Sequence, residues 1–315
     1  MDANGWVIER YDGAENAAWN EFVNSSRNAT FLFRREYMEY HADRFTDCSL
    51  IARKKGKILA LLPANRKDNG LFSHGGLTYG GWILPPGKVN GMELCSLFEV
   101  WLEWCRNEGI NAIHYKPLPF IYACQPAQED LYALWRFGAV KERLQLSAAI
   151  DLSCNPGFDY RRRRYLPRVE EKGVVVKESD RLDRFWEILT ECLKLRHNAA
   201  PVHSLAEISR LKSLFEKEIR IFVLCDDEGM QAGVLTYCTG MVQHCQYIAT
   251  TQKAREERYL PFLFKEMINM CQCRYFDMGT STDQNDCRLL DAGLLDNKFG
   301  FGATGVAYEQ YLLRP

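Results

Sequence analysis

The sequence predicts an α/β (α+β) fold made of two similar modules, each a mixed, mainly antiparallel sheet flanked by helices. Two observations support this. A pair of strand–turn–strand hairpins, a helix and a closing strand follow one another in the same order in each half of the chain. The corresponding turn glycines of the two halves lie about 170 residues apart, which is the behaviour expected of an internal repeat. The residue identities do not repeat, so the similarity lies in the pattern of elements.

In the first half, apolar runs at helical or alternating spacing are separated by turn residues such as Asn69-Gly70. The predicted elements are helices at Glu15–Ser25 and Glu36–Phe45, strands at Cys48–Arg53, Ile58–Ala64 and Leu71–Ile83, a helix at Met92–Asn107, a strand at Asn111–Tyr115, a helix at Pro126–Phe137 and a strand at Leu144–Leu152.

The second half repeats this order after a turn-forming segment, Ser153–Gly157, which contains Asn-Pro and Pro-Gly. We therefore expect one domain at residues 1–152 and another at 153–315. The predicted elements are helices at Phe158–Lys172, Arg181–Arg196 and Ser204–Lys217, strands at Val174–Val176, Ile219–Cys225, Ala232–Cys238 and Val242–Thr250, a helix at Tyr259–Gln272, a strand at Tyr275–Met278, a helix at Leu289–Phe299 and a strand at Val306–Leu313.

Bulk composition narrows the class of protein. The chain has 315 residues, 47% of them hydrophobic, with 40 basic and 41 acidic side chains. Such a balance argues against a broad DNA-binding surface. Met1–Arg10 lacks the basic and apolar regions of an export signal, and no apolar run reaches the ~20 residues of a membrane span. We expect a bacterial-type cytoplasmic protein without a transmembrane segment, whose 12 cysteines are reduced.

Several short motifs resemble those of a bacterial family of FemAB-like proteins, which have two tandem GNAT-like domains. The most specific is the glycine block Ser73–Gly81; the others are Tyr40–Phe45, Pro119 with Tyr122, Pro201–Ser204, Gln246–Ile248 and Phe276–Thr282. The resemblance covers nearly the whole chain. It implies an acyl- or aminoacyltransferase fold of the kind often associated with building the cell wall or surface polysaccharide.

By this resemblance, Val242–Thr250 and the segment after it would hold the acyl donor, either acyl-CoA (such as acetyl-CoA) or aminoacyl-tRNA. A splayed strand exposes backbone groups, and a following helix offers amide N–H groups to an anion. The candidate donor-binding residues are Ile248, Thr250, Lys253, Arg255 and Arg258. The segment lacks the glycines that normally allow close approach, and Glu256 and Glu257 oppose an anion, so a solvated, charged helix start is the alternative.

Catalytic candidates lie on the last two strands of the second meander. Tyr247 would donate a proton to a leaving thiolate, although tyrosines in strands are also common packing residues. Asp277 and Asp283 lie at the end of the closing strand, where they would orient an acceptor or accept its proton. The neighbouring Ser281 and Thr282 would bind substrate; simple turn hydrogen bonding explains all four equally well.

Substrate-binding candidates come from both halves. Glycines inside a strand mark a bulge or a place where something approaches the backbone, so His74, Thr78 and Tyr79 of the glycine block are candidates. A bulged strand without ligand is the alternative. In the second half the candidates are His203, with His197 nearby, and Lys298, each of which also has an ordinary structural explanation.

Two further patterns bear on phosphate binding and on metal binding. Arg161–Arg164 would bind a phosphate of an acceptor or of tRNA, or would simply form a solvated helix face. His244 and Cys245 are the residue types that bind zinc, but they lack further ligands at a suitable spacing, so we expect no metal site.

The sequence therefore favours an enzyme that transfers an acyl or aminoacyl group to an amine or hydroxyl of a cell-envelope or polysaccharide precursor, such as a lipid- or nucleotide-linked glycan. Direct attack by the acceptor on a bound thioester or ester needs no covalent enzyme intermediate. The main alternative is a non-catalytic binding module that kept the fold without a working donor site. Use of aminoacyl-tRNA without coenzyme A is a third possibility.

Overall fold

The computed structural model describes residues 5–283 and 286–315, with the side chains of all of them except residues 196 and 197. The chain forms two compact units. Unit 1 contains Met1–Gln145 and Ala307–Pro315, and unit 2 contains Leu146–Val306. The boundary between the units falls within two strands, Val140–Asp151 and Thr304–Leu313, each of which contributes residues to both units.

Unit 1 begins with a strand and two short helices and continues as a series of hairpins. Its elements are β1 (Trp6–Arg10), α1 (Asn16–Ser25), α2 (Arg35–Met38), β2 (Thr46–Asp47), β3 (Leu50–Lys54), β4 (Lys57–Leu62), β5 (Asn65–Lys67), β6 (Gly70–Phe72), α3 (Gly91–Asn107), β7 (Ala112–Tyr115), α4 (Glu129–Arg136) and the first part of β8 (Val140–Asp151).

The strands of unit 1 form two sheets. β1, β3 and β4 form a small antiparallel sheet, while the larger sheet has the order β2-β5-β6-β7, followed by the C-terminal strand β14 (Thr304–Leu313) and β8. β6 and β7 are parallel and are joined by α3, whose apolar side packs into the core with Phe98 and Trp101 fully buried. The parallel pairing uses all three residues of β6, from Gly70 to Phe72.

Unit 2 repeats this plan with longer strands. Its elements are α5 (Tyr160–Arg163), α6 (Leu166–Glu170), β9 (Val175–Glu178), α7 (Leu182–His197), α8 (Leu205–Leu214), β10 (Ile219–Asp226), β11 (Gly229–Cys238), β12 (Val242–Thr250), α9 (Gln252–Glu256), α10 (Tyr259–Met270), β13 (Tyr275–Thr280) and α11 (Ala292–Phe299), together with the second part of β8 and the start of β14.

The sheet of unit 2 has the order β8-β13-β12-β11-β10-β9. All the pairs in this order are antiparallel except β12 with β13, which are parallel and are joined by α10. One face of the sheet packs against α10, with Phe264 and Phe276 in contact at the centre of the core. The opposite face packs against α7, where Phe185 lies so close to Gly233 that a methyl group there would meet its ring at 2.7 Å.

The predicted fold class and the order of the main elements are confirmed in both units. The glycine block is the main difference: Leu71–Ile83 was expected to be one strand, but the strand ends at Phe72 and residues 73–82 form a loop. Gly81 has a φ of +88°, a conformation that a regular strand does not use. The predicted helices at Glu36–Phe45 and Phe158–Lys172 are each broken into shorter pieces.

The domain boundary expected between residues 152 and 153 stays a prediction. The two compact units divide within β8 and within β14. All 12 cysteines are free thiols. In the described part of the chain, the helices are too short or too polar to cross a membrane.

Candidate active site at the fork of two parallel strands

The parallel strands β12 and β13 separate soon after they meet. They pair only at Val242 with Tyr275, Gln243 with Phe276 and His244 with Asp277, as far as the described residues show. Beyond this point β12 continues for six residues along β11, while β13 keeps its pairing with β8 on its other side. The two strands thus form a fork whose apex is the His244–Asp277 pair, and a ligand that lies between them would meet backbone groups not used by this pairing.

A β-bulge lies in β12 beside the apex. Cys245 pairs with Thr236 and Tyr247 pairs with Leu235, so Gln246 is an extra residue with no partner on β11. A bulge of this kind leaves backbone groups out of the ladder and is common next to active sites. The bulge therefore interrupts the ladder between β12 and β11 next to the apex of the fork.

The apex itself holds a histidine–aspartate pair. His244 Nδ1 lies 2.7 Å from Asp277 Oδ2, and the Asp277 side chain is 0% exposed. The other carboxylate oxygen, Oδ1, accepts hydrogen bonds from the Ser147 hydroxyl at 2.7 Å and from the Gly279 amide at 3.0 Å. This buried carboxylate is therefore compensated by three donors, as a buried charge must be.

Pleating places further candidates on the same face of the sheet. Side chains alternate between the two faces along a strand, so residues three apart normally lie on opposite faces. Gln246 is an extra residue in the bulge, so His244 and Tyr247 lie on the same face. This face is the one toward α7, and Asp277 lies on it as the partner of His244. The Tyr247 phenol packs edge-on against Trp186 of α7 and bonds to His203, 2.7 Å from Nδ1 and 3.3 Å from the backbone N–H. Burial raises the pKa of Tyr247 above its ordinary range, so the phenol stays protonated at neutral pH.

Lys298, on α11, forms hydrogen bonds with the end of β13. Its ammonium group donates to the carbonyls of Gly279 and Thr280, both at 2.7 Å, and the side chain is almost completely buried. Burial lowers the pKa of Lys298 to about 8, while nearby Asp277 acts in the opposite direction. The predicted substrate-binding lysine thus lies in unit 2 beside the catalytic candidate Asp277.

A cavity lined by arginines lies at the far end of β12. It has a volume of about 350 Å³, and its walls come from α5, from the end of β12, from the segment before α10 and from α11. The charged and polar lining residues are Arg161, Arg162, Arg255, Arg258, Thr250, Asp296 and Asn297. Along β12, the cavity lies roughly 20 Å from His244 at the strand rise of ~3.3 Å per residue.

The four arginines differ in how much they are already engaged. Arg162 bonds to Asp159, Asn297 and the carbonyl of Asp296, and Arg255 donates to the carbonyl of Thr250. The Arg161 side chain is largely exposed and lies 4.0 Å from Asp296. The Arg258 guanidinium lies over the Tyr165 ring, 4.4 Å from its centroid. An anion entering the cavity would therefore be met mainly by Arg161 and Arg258.

The chemistry of this cavity fits an acyl donor that carries phosphates, with one departure. Where a glycine is usual before such a helix, Arg258 has a φ of +55°, a left-handed conformation that costs a non-glycine residue roughly 1 kcal/mol. Two other predicted donor-binding residues lie elsewhere. Lys253 pairs with Asp226, Asp227 and Glu228, and Ile248 packs against the core on the α10 face.

The segment after β13 is held by a hydrogen bond to β8 and by one within its own turn. The Thr282 hydroxyl accepts from the Leu146 amide at 2.8 Å, and the Asp283 carboxylate accepts from the Asp286 amide at 3.0 Å. Ser281 is fully buried, and its hydroxyl finds no partner among the described residues. Of the candidates in this segment, only Asp277 belongs to the fork.

The candidates of the glycine block lie in unit 1. His74 is buried, stacks on His41 and adopts a left-handed φ of +57°, and it borders a cavity of about 320 Å³. Burial, together with neighbouring His41, lowers the pKa of His74 to about 3, so the ring is neutral. The Tyr79 hydroxyl donates to Thr30, while Thr78 is exposed beside Lys116.

The glycines of this block are explained by packing. A methyl group on Gly76 would lie 2.3 Å from the His41 ring, and one on Gly80 would lie 2.2 Å from the Ser73 carbonyl oxygen. Side chains therefore do not fit at these positions, whatever the loop binds. The structure accordingly supplies a packing reason for the block, and its role in binding substrate stays a prediction.

The sequence analysis considers His244 only as a metal ligand and does not predict it as a catalytic residue. The available signal was weak: a histidine and an aspartate each interrupt an apolar strand, and only the strand register shows that they are neighbours. Among the described residues, His, Cys, Asp and Glu side chains form no cluster able to hold a metal ion. The side chain of His197 lies outside the described residues.

Comparison with known proteins agrees with this geometry. Residues 159–285 match the family model described as the acetyltransferase (GNAT) domain. No curated protein sequence matches the chain. Among solved structures, the chain is similar to FemX, with 13% identity and a TM-score of 0.70 over 98% of this chain and 97% of FemX.

Two more structures share the fold. L-PGS from Bacillus licheniformis has 14% identity and a TM-score of 0.60, with 97% of this chain and 92% of that chain covered. A tandem GNAT protein from the clavulanic acid biosynthesis pathway has 10% identity and a TM-score of 0.52, with 98% of both chains covered. Residues 159–285 thus match the acetyltransferase (GNAT) domain model, and nearly the whole chain shares the fold of these solved structures.

Proposed function

We propose that the protein is an acyl- or aminoacyltransferase that binds its donor in the fork between β12 and β13 of unit 2. The single observation that carries the proposal is the separation of these strands after His244 and Asp277. A closed pair would leave no room for an extended donor arm. The bulge at Gln246 interrupts the ladder with β11, and a backbone amide released there would suit an oxyanion that forms on the acyl carbonyl.

The arginine-lined cavity supports the choice of donor. Coenzyme A and the end of tRNA both carry phosphates, and arginine side chains match phosphate oxygens. The cavity lies at the end of β12, so a donor with its phosphates near Arg161 and Arg258 would have its acyl arm directed along the strand. Tyr247 and Asp277 lie on the face that would receive the acceptor.

The proposed acceptor is an amine or hydroxyl of a cell-envelope or polysaccharide precursor, and the proposed location is the cytoplasm. Support comes from the FemAB-like fold and from the relatives with the same two-unit plan. His74, Thr78, Tyr79, His203 and Lys298 stay candidates for binding that acceptor. Its identity would follow from a precursor that accelerates consumption of the donor.

The test is calorimetric titration of the full-length protein with acetyl-CoA, with longer acyl-CoAs and with aminoacyl-tRNA. We expect at least one donor to bind, and Arg161→Gln and Arg258→Gln to weaken it by about tenfold each, since a charge-assisted hydrogen bond contributes roughly 1.5–3 kcal/mol. Arg184→Gln is the matched control, because Arg184 pairs with Glu187 on the exposed side of α7. If every donor fails to bind, a non-catalytic binding module becomes the better description, as the glycine-free segment before α10 already allows.

A further inference from the structure

We propose that His244 is the general base of the transfer, and that Asp277 and Ser147 are positioning residues that hold its ring. This inference rests on the proposed function and adds to it the group that accepts the proton. It also restricts the acceptor class to neutral nucleophiles that must lose a proton as they attack, such as an amine or a hydroxyl.

The hydrogen bonds determine which nitrogen of His244 carries the proton. Asp277 Oδ1 is already occupied by the Ser147 hydroxyl and the Gly279 amide, while Oδ2 faces His244 Nδ1 at 2.7 Å. A carboxylate accepts and does not donate, so Nδ1 carries the hydrogen. The lone pair is then on Nε2, which is the tautomer that a general base needs.

The position of the ring leaves Nε2 available. The His244 side chain is 16% exposed, and its Nε2 has no hydrogen-bond partner among the residues that the structure describes. The ring edge lies against Gly279, where an added methyl group would be 3.7 Å from Cε1. A glycine at this point keeps the edge of the imidazole uncovered at the apex of the fork.

The groups around His244 come from three neighbouring elements. On the same face, His244 has Asp277 as its neighbour on β13 and Tyr237 on β11. On α11, the Lys298 ammonium group lies near Asp277 and is held by two backbone carbonyls. Cys245 points to the opposite face, and burial raises the pKa of its thiol, which keeps it uncharged. Asp277 is the carboxylate that would stabilise the imidazolium formed in the step.

In the proposed step one bond forms, one bond breaks and one proton passes through His244. The acceptor nitrogen or oxygen attacks the acyl carbonyl carbon and forms the new C–N or C–O bond, while its proton moves to His244 Nε2. The bond from the carbonyl carbon to the donor sulfur or oxygen then breaks, and the leaving group takes the electron pair. The imidazolium proton passes to the leaving group or to solvent, which restores neutral His244.

The experiment uses the donor that binds most tightly in the titrations above, with hydroxylamine as a small amine acceptor. Release of thiol or of free tRNA is measured for the wild type, His244→Gln and Asp277→Asn. We expect His244→Gln to keep donor affinity within about twofold and to slow release at least 100-fold, which is the usual contribution of a general base. The ratio of the wild-type rate to the His244→Gln rate falls on acidification because protonated Nε2 cannot accept a proton, whereas protonation of hydroxylamine itself slows both proteins equally.

Asp277→Asn tests the positioning role. An amide nitrogen can donate to Nδ1 and so favours the opposite tautomer, and we expect a loss of rate similar to that of His244→Gln. His114→Gln is the matched control, since His114 Nδ1 lies 2.8 Å from Glu142 in unit 1, a histidine–carboxylate pair outside the fork. Thermal unfolding of each variant shows whether the fold is kept.

Each outcome is decisive. Slower release with unchanged donor affinity supports the base. Equal rates in wild type and His244→Gln, or a bound donor that the wild type never releases to hydroxylamine, would overturn the inference and leave the donor site in place. Failure of every donor to bind would overturn the proposed function, and the base with it.

Discussion

At the scale of single residues, His74 is the most constrained side chain in the molecule. It combines a left-handed backbone, complete burial, stacking on His41 and an Nδ1 without a partner among the described residues. Left-handed backbone at a residue other than glycine or asparagine is uncommon and is typical of functional sites. The folded protein must keep this ring neutral, and its stability therefore depends on pH.

Replacing His74 with Asn should reduce the pH dependence of stability. The folded-state pKa of about 3 lies below the unfolded value of 6.5, so the stabilisation is present above pH 6.5 and is lost as the pH falls toward 3. Between pH 6.5 and 5, we expect wild type to lose about 2 kcal/mol of unfolding free energy relative to His74→Asn, which tolerates the same backbone. Urea unfolding at several pH values measures the difference; parallel curves for the two proteins would contradict it.

The residues of the fork show what sequence reasoning can and cannot find. Asp277 was predicted because it follows a strand in a polar segment, and the structure places it at the apex. His244 was not predicted as a base, because its partner lies on another strand and strand register is a tertiary property. Asp283 forms the local turn hydrogen bond that the sequence allows as the alternative to a binding role, whereas the Thr282 hydroxyl bonds to β8, which local sequence does not predict.

At the scale of elements, the periodic segments were predicted correctly and the glycine-rich one was not. The meander β10–β12 and helix α10 follow from alternating and helical apolar patterns and from clear turn residues. The segment 73–82 contains strand-type residues, yet its glycines adopt loop conformations that depend on contacts with His41 and Ser73. The contact with His41 comes from another segment, and the contact with Ser73 arises only when the loop folds back on itself, so local pattern did not predict them.

The geometry of the fork depends on the position of the end of β13, which Lys298 stabilises through two hydrogen bonds. Lys298→Met would leave the carbonyls of Gly279 and Thr280 without their donor, which should lower the unfolding free energy by about 2–4 kcal/mol. Because the folded-state pKa of about 8 lies below the unfolded value of 10.5, wild-type stability rises through this pH range, and the gap to the variant should widen from pH 8 to pH 10.

Lys265→Met is the control for this change, because Lys265 is only partly buried on α10 and pairs with its neighbour Glu266. Denaturant unfolding and donor affinity are measured together for both variants. Equal losses of unfolding free energy and of donor affinity in the two variants would show that Lys298 does not stabilise the fork.

At the scale of the whole molecule, the order of elements was predictable and the path of the chain between units was not. The tandem repeat is visible in the sequence because each half has its own turns and apolar periods. The return of Ala307–Pro315 to unit 1 is not, because a C-terminal strand carries no local sign of its partners. In unit 1 this segment pairs with β7 at Ile113–Tyr115 and buries Leu313 in the core.

Removing residues 307–315 should therefore unfold unit 1 selectively. All tryptophans except Trp186 belong to unit 1, so we expect the tryptophan emission to shift to longer wavelength, as it does when these rings meet water. Removal of Arg314 and Pro315 alone is the control, because the strand ends at Leu313. Unchanged emission after the longer deletion would show that β14 is dispensable for unit 1.

Because β14 is shared, the two units are not equivalent during synthesis on the ribosome. Leu146–Val306 is one uninterrupted segment, whereas the sheet of unit 1 cannot close until β14 has emerged behind it. We expect the nascent chain to complete the fork first and to expose the unpaired edges of β7 and β8 until β14 has emerged, which makes the earlier-made unit the more dependent on chaperones.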